Sequence, residues 1–247
     1  MNNYQLEHII NNKLKSKYIK DIIPNGMQIE GSSNITKIIT GVSICQKLID
    51  ISIFHQAQAI IVHHGFFWMN EQQNIIQNKR KRLKSILYNN INVYNWHLPL
   101  DIHPQLGNNA QIAKKLNIKI LGHDSSIVSW GKLKKPKTVK KFFNKIELIF
   151  NRKPVCFQHS KNNIIKNIAW CSGKGQKFIN IAHKLKMDAF LTGEISEEVM
   201  HYAYENHIHF FSIGHYVSEK FGIQALGEWI EKKLNINTKF IDIHNPI

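Results

Sequence analysis

Short apolar runs alternate with amphipathic segments along most of the chain. Six runs are strand-like, at 35–44, 59–62, 92–96, 168–171, 189–191 and 208–212. Six intervening segments place apolar residues at helical spacing, at 46–56, 71–88, 108–116, 176–185, 196–206 and 221–234. Strands that alternate with helices are typical of an α/β fold, because each helix covers the sheet between successive strands.

The two halves of the chain also match each other at a fixed spacing. Four matches lie 130 residues apart: Gln46-Lys47 with Gln176-Lys177, Ile49 with Ile179, Ile51 with Ile181, and Ala59 with Ala189. The same spacing aligns His63-His64 with Gly193-Glu194. A looser match, at 118 residues, aligns His97 and Asp101 with His215 and Glu219. We interpret these matches as an internal duplication, with coincidental similarity between two biased stretches as the alternative.

The duplication predicts two similar α/β lobes, 1–125 and 126–247, which together form one compact unit. A basic, proline-containing stretch at 132–141 is interpreted as a solvated connector or an exposed helix start. A second basic run, at 79–84, lies inside a helix-like segment and is interpreted as its solvent face.

Composition and sequence pattern indicate the cellular compartment in which the protein is expected. No run of 18 apolar residues occurs, so neither a transmembrane helix nor a membrane partner is expected. The N-terminus lacks the basic and apolar regions of a secretory signal. The three cysteines, Cys45, Cys156 and Cys171, are odd in number and far apart, which indicates reduced thiols in a cytoplasmic protein.

The formal net charge of +16 favours an anionic partner at first sight. However, 30 of the 33 basic residues are lysine, and the chain is also rich in isoleucine and asparagine. All three amino acids have AT-rich codons, so drift of base composition accounts for the excess. Specific readout of nucleic acid relies on arginine, which is scarce here, so we expect no specific nucleic-acid partner.

Residues with metal-binding chemistry follow several of the predicted strands. His63 and His64 end an apolar strand and precede a glycine, where the chain can turn and both rings can reach one cavity. Adjacent histidine side chains diverge, which suits two neighbouring metal ions better than one. A core or surface histidine pair is the alternative.

The other candidates occupy equivalent positions. Asp101 follows His97 and Pro99 in what we interpret as a loop leaving a strand, and His103 is interpreted as shaping that loop. His215 and Glu219 are four residues apart at a predicted helix start, so they share one helix face. Glu194 follows a strand that ends in glycine, and helix capping is its alternative role.

Together, His63, His64, Asp101, His215 and Glu219 lie at the carboxyl ends of predicted strands, where open α/β sheets bind ligands. Five nitrogen and oxygen ligands without cysteine suit a pair of divalent ions such as Zn, Mn, Fe or Ni, with Mg as a further candidate. Such a pair activates water for hydrolysis.

Three segments, IIVHHGFFW at 60–68, HLPLDIHPQLGNNAQIAKKL at 97–116 and the stretch from LTGEISEE to GEWI at 191–230, resemble the GTP cyclohydrolase I type 2 homologue family, also called NIF-three-like. The resemblance implies two α/β lobes facing each other and a dinuclear metal site between them. It assigns the ligand positions to His63, His64, Asp101 and His215, with Glu219 bridging the two ions. It also implies a toroidal homohexamer with its sites facing the inner cavity.

The leading hypothesis is a metal-dependent hydrolase with a nucleotide as a candidate substrate. His97 and Glu194 are the candidates for proton transfer or for supporting the ligands. The alternative is a metal-binding assembly or scaffold protein without turnover. No Walker A loop, dinucleotide-binding fingerprint or cysteine-rich zinc module occurs in the sequence.

Overall fold

The computed structural model describes residues 1–69, 71–124, 127–159 and 163–247, and within them the chain forms nine α-helices and eleven β-strands. The helices are α1 (Asn3–Leu14), α2 (Gln46–Phe54), α3 (Gln77–Tyr88), α4 (Leu98–Ile102), α5 (Asn108–Leu116), α6 (Val139–Phe150), α7 (Ile179–Lys184), α8 (Glu197–Glu205) and α9 (His215–Leu234). The strands are β1 (Gly26–Ile29), β2 (Lys37–Ser43), β3 (Ala59–His64), β4 (Asn92–Asn95), β5 (Ile118–His123), β6 (Ser129–Thr138), β7 (Val155–Phe157), β8 (Ile164–Trp170), β9 (Ala189–Thr192), β10 (His209–Ser212) and β11 (Asn237–Phe240). Two short 3₁₀ helices, Ser16–Tyr18 and Gln176–Phe178, complete the regular structure of these residues. The α/β class predicted from the sequence is confirmed.

The contacts divide the chain into two units. The first consists of Met1–Gly107 and Gly222–His244, and the second of Asn108–Phe221 and Asn245–Ile247. These units differ from the expected lobes at two places. Residues 108–124 belong to the second unit because β5 pairs with β6, and residues 222–244 belong to the first because β11 pairs with β2. The expected boundary itself, between 125 and 126, lies outside the described residues.

The sheet of the first unit has the strand order β1-β4-β3-β2-β11. Its strands are parallel except for β1, which runs antiparallel to β4 at one edge. Ile38 and Ile39 of β2 and Ile60 and Ile61 of β3 are completely buried, so both faces of the sheet centre are covered. Burial on both faces is typical of parallel strands, and β-branched side chains suit it.

The sheet of the second unit has the order β5-β6-β8-β9-β10-β7. Its centre, β8-β9-β10, is parallel, while β5, β6 and β7 pair antiparallel to their neighbours. Phe190, Leu191 and Phe210 are completely buried in this centre. The carboxyl ends of the parallel strands, four in the first sheet and three in the second, therefore meet at one edge of each sheet, and the candidate residues come from these edges.

The strand registers of the two units support the duplication. Ile38 of β2 pairs with Ala59 of β3, and Ile168 of β8 pairs with Ala189 of β9, which is a spacing of 130 residues in both partners. The helix between these strands repeats as well, because α2 begins at Gln46 and the 3₁₀ helix before α7 begins at Gln176.

The turns that lead into the second strand are repeated too. The side chain of Gln58 accepts a hydrogen bond from the backbone N–H of Lys37, at 3.0 Å. Asp188 accepts the equivalent bond from the backbone N–H of Asn167, at 2.7 Å. In both turns, a side chain accepts a hydrogen bond from a backbone N–H of the preceding strand, although one acceptor is an amide and the other a carboxylate.

Two segments differ from their sequence-based interpretation. Residues 132–138 lie in β6 and are not a connector, while Val139 begins α6, whose first turn is capped by Thr138 accepting from the Lys141 N–H. The helix predicted over 71–88 begins only at Gln77. Ile75 and Ile76 before it are about half exposed, so this segment has no buried face whose packing would stabilise a helix.

Within the described ranges, none of the helices has the length and apolar character needed to cross a membrane.

Candidate metal centre

His63 and His64 are the last two residues of β3, in the parallel part of the first sheet. His63 is completely buried, and its Nδ1 lies 3.1 Å from the carbonyl oxygen of Trp96. A carbonyl only accepts, so this bond places a proton on Nδ1 and directs Nε2 away from it. The Nδ1 of His64 lies 2.9 Å from Ser43 Oγ, and the two rings are 4.6 Å apart between centroids.

Asp101 lies in the short helix α4, so the sequence-based assignment of this residue to a loop is wrong. His97 is the residue before the helix, and its carbonyl accepts from the backbone N–H groups of Leu100 and Asp101. Pro99 fits because the first turn of a helix needs no N–H donor. The turn buries Asp101 to 3% exposure, with its Oδ1 3.5 Å from His63 Nε2.

Asp21 holds the ring of His97, and sequence analysis did not identify it. Its Oδ1 lies 3.0 Å from His97 Nδ1, and its Oδ2 accepts from the Leu98 N–H at 2.9 Å. Burial by itself raises the pKa of Asp21, but hydrogen bonds from His97 and Asn25 outweigh it and lower the pKa to about 2. The carboxylate therefore stays ionised and can accept a hydrogen bond from His97 Nδ1, which fixes the orientation of the ring.

The first unit thus gathers a set of donors around the end of β3. His63, His64 and His97 each offer one ring nitrogen, and these nitrogens lie within 4.8 Å of one another. The His97 ring centroid is 5.0 Å from that of His63 and 5.8 Å from that of His64. Asp101 adds a carboxylate oxygen next to His63.

The second unit has its own donor set at the start of α9. His215 Nε2 lies 3.0 Å from Glu219 Oε2, one helical turn on, so the two residues share a helix face as the spacing predicts. His215 Nδ1 lies 2.7 Å from Glu194 Oε1, which follows β9. Glu219 is 3% exposed as a residue.

The two carboxylates control the charge of His215. Burial by itself lowers the pKa of His215, whereas the hydrogen bonds and charges of Glu219 and Glu194 raise it, with a net result of about 9. Two carboxylates beside a partly buried imidazole also favour the binding of a cation at this position.

A glycine-containing turn after β8 packs against this set. Gly173 has a φ of +61°, in the left-handed region, and a side chain there would collide with the Glu219 carboxylate. Its N–H donates to Ser218 Oγ at 2.8 Å, and Ser218 Oγ donates to the His215 carbonyl at 2.7 Å. The turn therefore fixes the first turn of α9, which carries the donors.

His103 has a structural role, as the sequence indicates. Its Nδ1 accepts from the backbone N–H groups of Gln105 and Leu106, at 3.1 and 3.0 Å. Its Nε2 lies 3.2 Å from the carbonyl of Lys13. Burial lowers the pKa of His103, which suits a neutral ring that accepts at one nitrogen and donates at the other.

Sequence and structure comparisons each find similar proteins over essentially the whole chain. The model of the family Duf34/NIF3 (NGG1p interacting factor 3) matches residues 1–246. The chain is 55% identical over 246 residues to the GTP cyclohydrolase 1 type 2 homolog of Buchnera aphidicola subsp. Schizaphis graminum (strain Sg), and 45% identical over 246 residues to that of Escherichia coli (strain K12), with full coverage of both chains in each comparison. A solved structure described as protein ybgI, of unknown function, matches with a TM-score of 0.98 at 45% identity and full coverage of both chains.

Proposed function

Because the chain belongs to the Duf34/NIF3 family, we propose that it binds two divalent metal ions and acts as a metal-dependent hydrolase. His63, His64 and Asp101 of the first unit and His215 and Glu219 of the second would hold the ions, and Glu219 would be shared between them.

One observation carries the proposal. Four histidines, His63, His64, His97 and His215, each have Nδ1 within hydrogen-bonding distance of an oxygen. Histidines that bind metal through Nε2 almost always donate Nδ1–H to such an oxygen, which fixes the tautomer and the ring orientation. Four chance contacts of this kind are a poor explanation, because the rings come from three segments of the chain, at the end of β3, before α4 and at the start of α9.

The donor set fits the proposed ions. Imidazole and carboxylate donors without thiolate favour Zn, Mn, Fe, Ni or Mg over softer ions. Glu219 Oε2 lies 3.0 Å from His215 Nε2, so both atoms face the position at which a bound ion would compete for them. Divalent ions would also offset the negative charge of Asp101 beside His63 in the first unit and of Glu194 and Glu219 beside His215 in the second.

When bound, the ions would lower the pKa of a water molecule and polarise the substrate. The chain supplies groups that can hold or transfer protons near them. His97 can accept a proton at Nε2, because its Nδ1 is held by the ionised Asp21 carboxylate. Glu194 is about one-quarter exposed, so it can exchange protons with solvent while it holds the His215 ring.

Further properties of the proposed protein follow from the resemblance alone. We expect a toroidal homohexamer in the cytoplasm, with a nucleotide as a candidate substrate. Light scattering coupled to gel filtration measures the assembly, and a stable monomer would contradict it.

Metal analysis tests the core of the proposal. Protein purified without chelator, or reconstituted with one candidate ion at a time, is expected to contain close to two ions per chain. A value near zero in protein that remains folded contradicts the site assignment. The loaded protein is then screened with nucleoside triphosphates and phosphoesters. Two bound ions without turnover of any substrate would support the scaffold alternative.

A further inference from the structure

A cleft of about 290 Å³ opens beside His64, and all the residues that line it belong to the first unit. His64 and Ser43 form the side next to the candidate metal ligands, and Trp68, Lys79 and Arg82 line the remainder. The volume is close to the lower end of the range for small-molecule sites.

Trp68 gives the cleft an aromatic wall. Its Nε1–H donates to the carbonyl oxygen of Gly65 at 3.2 Å, which fixes the orientation of the indole. The indole lies 5.3 Å from the His64 ring and 6.0 Å from the His97 ring, between centroids. It is nevertheless 39% exposed, so part of the ring surface remains available to a planar ligand.

Arg82 gives the cleft an available positive charge. Two basic residues of α3 line the cleft, but Lys79 is already occupied by Glu71, 3.6 Å away, and by the carbonyl of Gln72, 2.8 Å away. Arg82 is half-buried, and in the part of the chain that the structure describes no hydrogen bond or ion pair holds its guanidinium. Arginine in a cleft presents a rigid fork that suits the two oxygens of a phosphate or carboxylate.

We propose that this cleft is the substrate-binding subsite of the candidate hydrolase, and that it takes a planar ring stacked on Trp68 with an oxyanion bound by Arg82. The inference rests on the proposed function for its link to catalysis, because the cleft adjoins His64. Binding in the cleft needs no metal, however, so the two proposals can fail separately.

The chemistry of the cleft favours this ligand class over others. The ion pair of Lys79 with Glu71 is neutral overall, so Arg82 leaves a net charge of +1 that one oxyanion would match. Stacking on an aromatic side chain tolerates different rings, because every nucleic-acid base presents a π-face. A neutral ring would leave Arg82 without an anion, and a free anion would leave the exposed surface of the Trp68 ring uncovered.

Isothermal titration calorimetry on the purified full chain, before and after chelator treatment, tests this assignment. The probes are adenosine monophosphate, which has ring and phosphate, adenosine, which has only the ring, and ribose 5-phosphate, which has only the phosphate. Indole-3-acetate, a ring with a carboxylate, distinguishes the two sources of the oxyanion. At least one of the two probes that carry both groups is expected to bind at least tenfold more tightly than the two partial probes.

Two variants on the same helix give a matched comparison. Arg82→Gln is expected to weaken the tighter probe by about 10- to 100-fold, the range for losing hydrogen bonds to a charged group. Arg80→Gln removes the same charge from an exposed position of α3 and is expected to change affinity less than twofold.

The aromatic wall is tested separately. Trp68→Leu should weaken binding about tenfold, and Trp68→Phe replaces it if the leucine variant does not fold.

Equal effects of Arg82→Gln and Arg80→Gln would overturn the assignment, as would failure of both complete probes to bind. Loss of binding after chelator treatment would also overturn it, because the ligand would then be held by metal and not by the cleft. If the protein contains no metal but binds the probe through Arg82, the proposed hydrolase is wrong and the binding site stands.

Discussion

At the scale of single residues, oxygen acceptors decide what each histidine can do. His63 and His64 are held by a carbonyl and a hydroxyl, which are uncharged, whereas His97 and His215 are held by carboxylates. A carboxylate raises the basicity of a ring more than a neutral oxygen does. For His215, the two carboxylates raise the pKa to about 9, so the ring carries a proton near pH 7 unless a bound ion takes its place.

Glu219 and Glu194 both contact His215, yet they are assigned different roles. Glu219→Gln is expected to reduce metal affinity by more than about 100-fold, because the side chain is proposed to bind both ions. Glu194→Gln is expected to reduce it by about 10- to 100-fold, the usual loss when a partner of a ligating histidine is removed. Calorimetric titration of both variants with the same ion measures the difference. Equal losses, or a larger loss for Glu194→Gln, would reverse the roles.

Asp21 makes the free energy of unfolding depend on pH in the acidic range. The carboxyl has a pKa of about 2 in the folded chain, below the roughly 3.9 of an unfolded aspartate. Its ionised form therefore stabilises the fold above about pH 4, and this contribution is lost as the pH falls toward 2. The difference in free energy of unfolding between the wild type and Asp21→Asn is expected to shrink by about 1–2 kcal/mol between pH 5 and pH 2.5. Urea denaturation across this range measures it, and a constant difference would contradict the role of Asp21.

At the scale of elements, one arrangement of strand, helix and strand serves both units. The pairing of β2 with β3 and of β8 with β9 has the same register, but the segments that follow differ in length. In the first unit, α4 has five residues and carries Asp101, whereas Glu219 lies on α9, which has 20 residues and of which residues 215–221 belong to the second unit. The acidic residue thus sits on a helix in both units, one turn after a histidine.

The turn at Gly173 is expected to be as important for the donors as the helix itself. Gly173→Ala places a side chain in the left-handed region, at a cost of about 1–2 kcal/mol, and pushes against the Glu219 carboxylate. Lower thermal stability and lower metal content are therefore expected together. Gly227→Ala is the comparison variant, because it adds a methyl group to α9 without a positive φ and against Thr238 and Thr40, at 3.3 Å, which need to shift by only a few tenths of an ångström. Normal metal content in folded Gly173→Ala protein would contradict the role of this turn.

At the scale of the whole molecule, the net charge of +16 is expected to have little functional consequence. Arg80, Lys81 and Lys84 of α3, and Lys134 and Lys135 of β6, are exposed. Changing these five residues to glutamate is expected to leave metal content and any hydrolysis unchanged. Fluorescence anisotropy with duplex and single-stranded probes is expected to show weak binding without sequence preference, and the binding should fall steeply between 50 and 200 mM salt. Tight binding at 200 mM salt that these changes abolish would favour a nucleic-acid function.

Much of the architecture follows from the sequence alone, because it depends on local patterns. Continuous apolar runs such as 59–62 can only be stable when buried on both faces, which predicts a parallel sheet. His63, His64 and His215 follow such runs directly, so their placement at the strand ends is determined by chain order. The spacing of His215 and Glu219 likewise determines that they meet on one helix face.

Only the tertiary structure decided which distant groups support these residues. Asp21 lies 76 positions before His97, and no periodicity connects the two, because a hydrogen bond between side chains requires only proximity in space. The same applies to β11, which joins the first sheet beside β2 although about 200 residues separate them in the chain. From the sequence, Arg82 is interpreted only as part of a solvent-facing basic run, and no role is assigned to Trp68. Folding makes them two walls of one cleft, since the packing of α3 against the sheet brings together side chains that local patterns treat independently.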